Sequence, residues 1–185
     1  MYIDYTKPLT EGFIRENKVN WNSISQFQKL NENFIREFQH KINWNYISIY
    51  QILSENFIRE FKDKVYWINI SQYQKLSEDF IREFQDKVIW ENISYKQKLS
   101  ENFIREFQNK INWTNISYKQ KLSKKFIIEF QDKINWEYLL KKFEYKLEFF
   151  NDKYRIKSDN YYSDLLDFSE LIELTLRLIA LKAFK

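Results

Sequence analysis

Apolar residues recur along this chain in two alternating clusters, and the whole pattern repeats every 23 residues. With each tryptophan taken as position 0, an aliphatic residue stands at +3 (Ile24, Ile47, Ile70, Ile93, Ile116) and a leucine at +9 (Leu30, Leu53, Leu76, Leu99, Leu122). Phenylalanine follows at +13 and +17, isoleucine at +14, and valine or isoleucine at +21. In one copy the second cluster is Phe103, Ile104, Phe107 and Ile111. Its i, i+1, i+4, i+8 spacing is one face of an α-helix. In the first cluster, the tryptophan, the +3 aliphatic and a glutamine at +7 share one face of a shorter helix, with a serine at +4 beside them. Each unit is thus predicted to hold two helices of roughly 8–11 residues, too short to be stable alone. Stacking on the next unit buries the face that neither helix can bury by itself.

Polar residues mark where these helices begin. Ser54, Ser77, Ser100 and Ser123, with Thr10 and Asn31 in equivalent places, precede the second helix as N-caps. Asn20, Asn43, Asn112 and Asn135 do the same before a tryptophan, whereas Tyr66 and Ile89 break the rule, so those two caps are expected to be weaker. Hydrophobic staples are expected from Leu99 to Ile104 and from Ile42 to Ile47. The outer face pairs Glu101 with Arg105, Glu55 with Arg59 and Glu78 with Arg82 in the favourable i,i+4 order.

The fold class expected is all-α: an α-solenoid of short two-helix repeats with N- and C-terminal capping helices. Residues 1–20 form the N-terminal cap and a shortened first repeat, 21–136 the tandem repeats, and 137–185 the C-terminal cap. Met1 to Pro8 reads as a degenerate first helix. Phe13 to Trp21 is two residues shorter than Phe34 to Trp44, a deletion in the first unit. After Trp136 a longer helix to about Phe150, a polar stretch and a helix from about Ser163 to Phe184 are expected.

Composition narrows the chemistry. The 185 residues include one glycine, one proline, no cysteine and one histidine, His40. Glycine-rich phosphate loops, disulfides, thiol nucleophiles and multi-histidine metal sites are excluded by that inventory. The carboxylates sit as helix-surface ion pairs, with no converging nucleophile, base and stabiliser, so neither catalysis, a cofactor nor a metal is expected. No signal peptide and no span long enough to cross a bilayer is read from the sequence, and an intracellular protein is expected. The Asn-Ile-Ser sequons at Asn69, Asn92 and Asn115 fall inside predicted helices, which argues against glycosylation. Net charge is +4. The excess lies in residues 93–146, which carry 12 Lys+Arg against 6 Asp+Glu.

Trp21, Trp44, Trp67, Trp90, Trp113 and Trp136 share a face with the +3 aliphatics, and are read as a packing ladder between units rather than a platform for bases. The glutamines at +7 (Gln28, Gln51, Gln74, Gln97, Gln120) are read as a buried hydrogen-bond ladder. A recognition surface must differ between units, so the variable positions +1, +5 and +8 are the candidates for partner binding. They place Ile49, Ile52 and Ile68 on the outer side of the first helices, against Asn, Gln or Lys at most equivalent places. Neutral drift in an AT-rich gene is the alternative. In later units Tyr95 with Lys98 and Tyr118 with Lys121 interleave aromatics with cations, a pattern that also suits a phosphate backbone. In the last predicted helix, Leu165, Phe168, Ile172, Leu176 and Ile179 form one apolar stripe, and Leu171, Leu174, Leu178 and Leu181 a second. One stripe is expected to cover the end of the solenoid; the second is either covered by the polar connector or meets another chain, and a homodimer contact is the reading preferred.

The run Leu-Ser-Glu-Asn-Phe-Ile-Arg-Glu-Phe-Gln-Asn-Lys-Ile-Asn-Trp (99–113), with similar copies at 53–67 and 76–90, resembles the tandem repeats of proteins from giant DNA viruses of the mimivirus group. The resemblance spans roughly residues 9–139. It implies a viral protein acting in an infected amoebal cell, in the host cytoplasm or the virion, and implies no activity or site residues. The function expected is a non-catalytic repeat scaffold for protein–protein interaction. Nucleic-acid binding through the basic later repeats, or structural self-assembly, stands as the alternative.

Overall fold

The computed structural model describes residues 2–142, 146–150 and 153–157. The chain divides into two compact units, Met1–Gln97 and Lys98–Lys185. The first unit runs α1 (Glu11–Glu16), α2 (Trp21–Phe27), α3 (Glu32–Glu37), α4 (Trp44–Tyr50), α5 (Glu55–Glu60), α6 (Trp67–Tyr73), α7 (Glu78–Glu83) and α8 (Trp90–Lys96). The second runs α9 (Glu101–Glu106), α10 (Trp113–Lys119), α11 (Lys124–Glu129) and α12 (Trp136–Lys142), then strands β1 (Lys146–Phe150) and β2 (Lys153–Lys157). Within each unit the repeats form an all-helical, solenoid-like array. Within the first unit α2 packs on α4, α4 on α6 and α6 on α8; within the second α10 packs on α12.

The helices are shorter than their apolar period suggests, seven residues beginning at each tryptophan and six in the second helix. The first helix stops because the +7 glutamine is its C-cap and turns to extended backbone, as Gln51 does at φ −92°, ψ 147°. The second stops at the +17 phenylalanine. Its carbonyl then takes two further amides, so that Lys64 and Val65 donate to Phe61 at 2.9 and 3.1 Å. That turn keeps the +21 residue on the apolar side without prolonging the helix.

The two-residue deletion in the first repeat removes this turn. Asn17 stands where later copies have the +17 phenylalanine, is extended at ψ 154°, and returns its side-chain amide to the Phe13 carbonyl at 2.9 Å. The expected helix within residues 1–8 is absent from residues 2–8, where Thr6 instead donates from both its amide and its hydroxyl to Asp4 Oδ1.

The side-chain caps read from the sequence are made, Asn135 included, which accepts the Tyr138 amide at 3.2 Å. Thr10, Asn20, Asn31, Asn43, Ser54, Ser77, Ser100, Asn112 and Ser123 each accept from an amide three residues on. Tyr66 and Ile89 offer no side-chain cap. Restoring one by Ile89→Asn is expected to stabilise the chain by about 1 kcal/mol, seen as a higher urea midpoint at unchanged slope. No change in midpoint would mean that the α8 terminus gains nothing from a cap.

The core repeats as strictly as the sequence. Ile at +3, Phe at +13 and Ile at +14 are fully or almost fully buried from Ile24 to Ile127, while in the shortened first repeat Ile14 is buried and Phe13 only half-buried. The glutamines join one repeat to the one before. Gln74 accepts the Leu53 amide at Oε1 (3.1 Å) and donates from Nε2 to the carbonyls of Ser48 (3.0 Å) and Gln51 (2.8 Å). Gln51 does the same to Leu30, Ser25 and Gln28. At the start of the ladder, Gln28 finds the Leu9 amide and the Tyr5 and Lys7 carbonyls. Residues 5–9 therefore do for the first glutamine what a preceding repeat does for the others. The +4 serines form a second ladder: Ser48 Oγ donates to the Trp44 carbonyl at 2.7 Å and accepts the Tyr66 amide of the next repeat at 3.0 Å.

On the outer side, the i,i+4 pairs Glu55–Arg59, Glu78–Arg82 and Glu101–Arg105 are long, at 3.7–4.0 Å. The shorter pairs connect repeats: Arg15–Glu37 and Arg36–Glu60 at 2.8 Å, Arg59–Glu83 at 2.7 Å, and Arg105–Glu129 at 2.9 Å. Hydrogen bonds from Arg15 hold the Glu37 carboxyl below its ordinary range, and Arg105 does the same to Glu129. These pairs are in place above the ordinary glutamate pKa and are lost as pH falls through the lowered one. They are solvent-exposed, so their contribution is small.

Where a longer helix to about Phe150 was expected, the structure forms a hairpin. Strands β1 and β2 pair antiparallel, with Leu147 opposite Ile156 and Phe149 opposite Tyr154. The expected helix from Ser163 to Phe184, with Leu165, Phe168, Ile172, Leu176 and Ile179, lies outside the described residues.

Candidate functional site

The tryptophans are half-buried rather than buried. At Trp44, Trp67 and Trp113 the indole lies against the phenylalanines of its own repeat, with Trp44 4.9 Å from Phe61, Trp67 4.9 Å from Phe84 and Trp113 5.0 Å from Phe130 between ring centroids. Its N–H reaches back five residues, Trp44 to the Gln39 carbonyl (3.1 Å) and Trp67 to that of Lys62 (2.9 Å). At Trp44 and Trp113 the exposed edge carries a lysine: Lys64 Nζ sits 5.8 Å from the Trp44 ring centre and 5.6 Å from that of Phe61, and Lys133 covers Trp113 and Phe130 in the same way. With a phenylalanine on one side, a cation on the other and the N–H committed, the Trp44 and Trp113 indoles present no free face for a ligand to stack on.

The variable positions do not all fall where the sequence places them. Ile49 is in α4 and half-buried, and Ile68 is in α6 and exposed. Ile52 is not on the helix, because α4 ends at Tyr50; it stands in the following loop with 89% of its surface in solvent. Among the described large apolar residues only Tyr2, at 94%, is more exposed.

Ile52 has neighbours that the sequence reading passed over. Phe27 and Tyr50, both at +6 and both half-exposed, line with Ile52 and Leu30 a shallow cleft of about 360 Å³. Tyr73 continues the +6 column, also half-exposed. The signal was present in the sequence as an aromatic at +6 in three successive repeats, but a helical wheel places that position beside the core rather than in the open. The early end of each first helix is what brings it to the surface.

A second exposed apolar group gathers where the caps are missing. Tyr66 and Ile89 replace capping asparagines and stay 50% and 38% exposed, with Ile68 nearby in sequence on α6. Each of these two substitutions gives up a cap and leaves an apolar side chain in water.

Tyr95 and Tyr118 are exposed and each carries its neighbouring lysine over the ring, Lys96 at 5.1 Å and Lys119 at 4.5 Å. Tyr118 also meets Tyr138 edge-on at 5.7 Å. One ring face of each is therefore taken by a cation of the chain itself. Lys98 and Lys121 are exposed; Tyr95 and Lys98 belong to different units. His40 is exposed in a turn.

A larger hollow, about 570 Å³, lies over α1 and α3 between Glu11, Arg15, Asn31, Glu32, Arg36 and Glu37. Its walls are already committed to one another. Arg15 bridges Glu11 and Glu37, Asn31 donates to Glu11, and Arg36 pairs with Glu32. Among the described residues no cluster of His, Cys, Asp or Glu could hold a metal ion, and no helix is long and apolar enough to cross a membrane. Comparison with protein-family models, with curated proteins and with solved structures gave no match.

Proposed function

We propose that the chain is a non-catalytic scaffold that binds a protein through the first-helix side of its N-terminal unit. The observation that carries this reading is the exposed column of Phe27, Tyr50 and Tyr73 with Ile52 in its midst. Inside the repeats the same residues recur from copy to copy, as packing and the glutamine ladder require. Outside, apolar side chains stand in water at a transfer cost that no contact within the described residues offsets. Aromatic residues around a shallow apolar cleft are the usual composition of a protein–protein hot spot. The likeness of residues 99–113 to giant-virus repeats supports a scaffold that acts in an infected amoebal cell.

Photo-cross-linking tests it. A benzophenone amino acid at position 52, compared with one at the exposed Lys62, is expected to give discrete protein adducts in amoebal or infected-cell extract from position 52 only. Equal labelling from both positions, or none from position 52, contradicts the proposal.

A further inference from the structure

We infer that the occupant of this face is residues 163–174 of a second copy of the chain, an inference that rests on the scaffold reading above. The face has an unusual charge pattern. Residues 21–31, 44–54 and 67–77, which build it, contain no aspartate or glutamate. The carboxylates that reach the loops are occupied elsewhere: Glu32 and Glu55 accept the amides of Ser54 and Ser77 (2.6 Å each) and pair with Arg36 and Arg59. Lys29 and Lys75, at +8 on either side of Ile52, are exposed and have no ion-pair partner among the described residues. By contrast, Arg15, Arg36, Arg59 and Arg82 in the same unit are all paired. The surface is thus an apolar centre, Tyr50 and Ile52, between two uncommitted cations.

Its complement is a segment with apolar residues interleaved among acids and no base. Residues 163–174 read Ser-Asp-Leu-Leu-Asp-Phe-Ser-Glu-Leu-Ile-Glu-Leu: four acids, six apolar residues and no lysine or arginine. They lie in the part of the chain beyond the last described residue, Lys157. Charge of one sign on the face and the other on the segment steers encounter, and the apolar centre holds the complex. Two copies can exchange segments reciprocally, which closes the assembly as a dimer. A phosphate backbone fits this surface less well, because the middle of the cation row is an isoleucine and the central ring is flanked by it.

Sedimentation velocity of the full chain is the test, at micromolar to tens-of-micromolar concentration. The chain is expected to dimerise, and the dimer to weaken as salt rises. Lys29→Glu with Lys75→Glu is expected to weaken dimerisation about ten-fold or more, and Asp164→Lys with Asp167→Lys to do the same. Combining all four should restore most of the loss, because reversed charges meet again. Ile52→Ser should weaken the dimer without altering the circular dichroism spectrum. A monomer throughout, a dimer indifferent to the lysine reversals, or losses that merely add in the combined variant would each overturn the inference. A monomer that still cross-links a foreign protein from position 52 would leave the scaffold reading standing and remove only the self-docking.

Discussion

Gln74→Leu is expected to destabilise the N-terminal unit by about 3 kcal/mol or more, although the side chains are similar in size and leucine is the more apolar. The residue is 6% exposed and makes three hydrogen bonds, all to backbone of the preceding repeat. Leucine removes the partner and leaves the Leu53 amide and the Ser48 and Gln51 carbonyls behind in a place where water has little access. Each such group left unpaired costs about 1–3 kcal/mol, which outweighs the gain from a more apolar side chain. Urea unfolding should show the loss as a lowered midpoint. A midpoint within error of the wild type would mean that the ladder is ornamental and that apolar packing alone joins the repeats.

Phe80→Ala is expected to cost about 3–5 kcal/mol by a different route. Phe80 has no exposed surface, lies 4.7 Å from Phe84 and 6.2 Å from Trp67 between ring centroids, and carries the Arg59 guanidinium over its face at 5.0 Å. Truncation opens a cavity against side chains that other contacts hold in place. Arg59 and Glu83, paired at 2.7 Å, resist collapse into the space from above. Because each repeat contacts only its neighbours, the loss should concentrate around α6 and α7, and thermal unfolding of the variant should broaden as well as shift. A sharp transition with an unchanged midpoint would contradict this packing.

The repeat logic was legible because every inner position has one job. Apolar periodicity located the helices, Ser and Asn marked their starts, and the lack of such a residue at Tyr66 and Ile89 marked the two uncapped ones. The glutamine column was legible too, since an amide recurring on a core-facing position needs recurring partners; which atoms it bonds was not, because they are backbone groups of another repeat. Helix length was misjudged for a physical reason. The +17 phenylalanine carbonyl accepts amides at +20 and +21, so apolar residues keep a helical rhythm through a segment that is a turn. The same shortening hid the Phe27–Tyr50–Tyr73 column, since side chains at a helix end are freed in a way that a continuous wheel does not show. The hairpin at 146–157 was masked by the helical run Trp136–Lys142 before it. Its own signals were the alternation of Leu147 and Phe149, then Tyr154 and Ile156, on either side of Asn151-Asp152.

Binding on the outside depends on this inside. A ladder that bonds only backbone fixes the offset between repeats while leaving their outer side chains free to differ, so a cleft such as that between Phe27, Tyr50 and Ile52 has a defined width whatever occupies it.

Amide hydrogen exchange at Leu53 tests that arrangement most directly. Its N–H is held only by the Gln74 side chain of the next repeat. The amide is therefore expected to exchange slowly in the native chain, far more slowly than that of the adjacent exposed Ile52, and to lose that protection selectively in Gln74→Leu under conditions where the Ile58 amide, bonded within its own helix to Ser54, stays protected. Fast exchange at Leu53 in the native chain, or protection there that survives Gln74→Leu, would contradict the glutamine ladder as the joint between repeats.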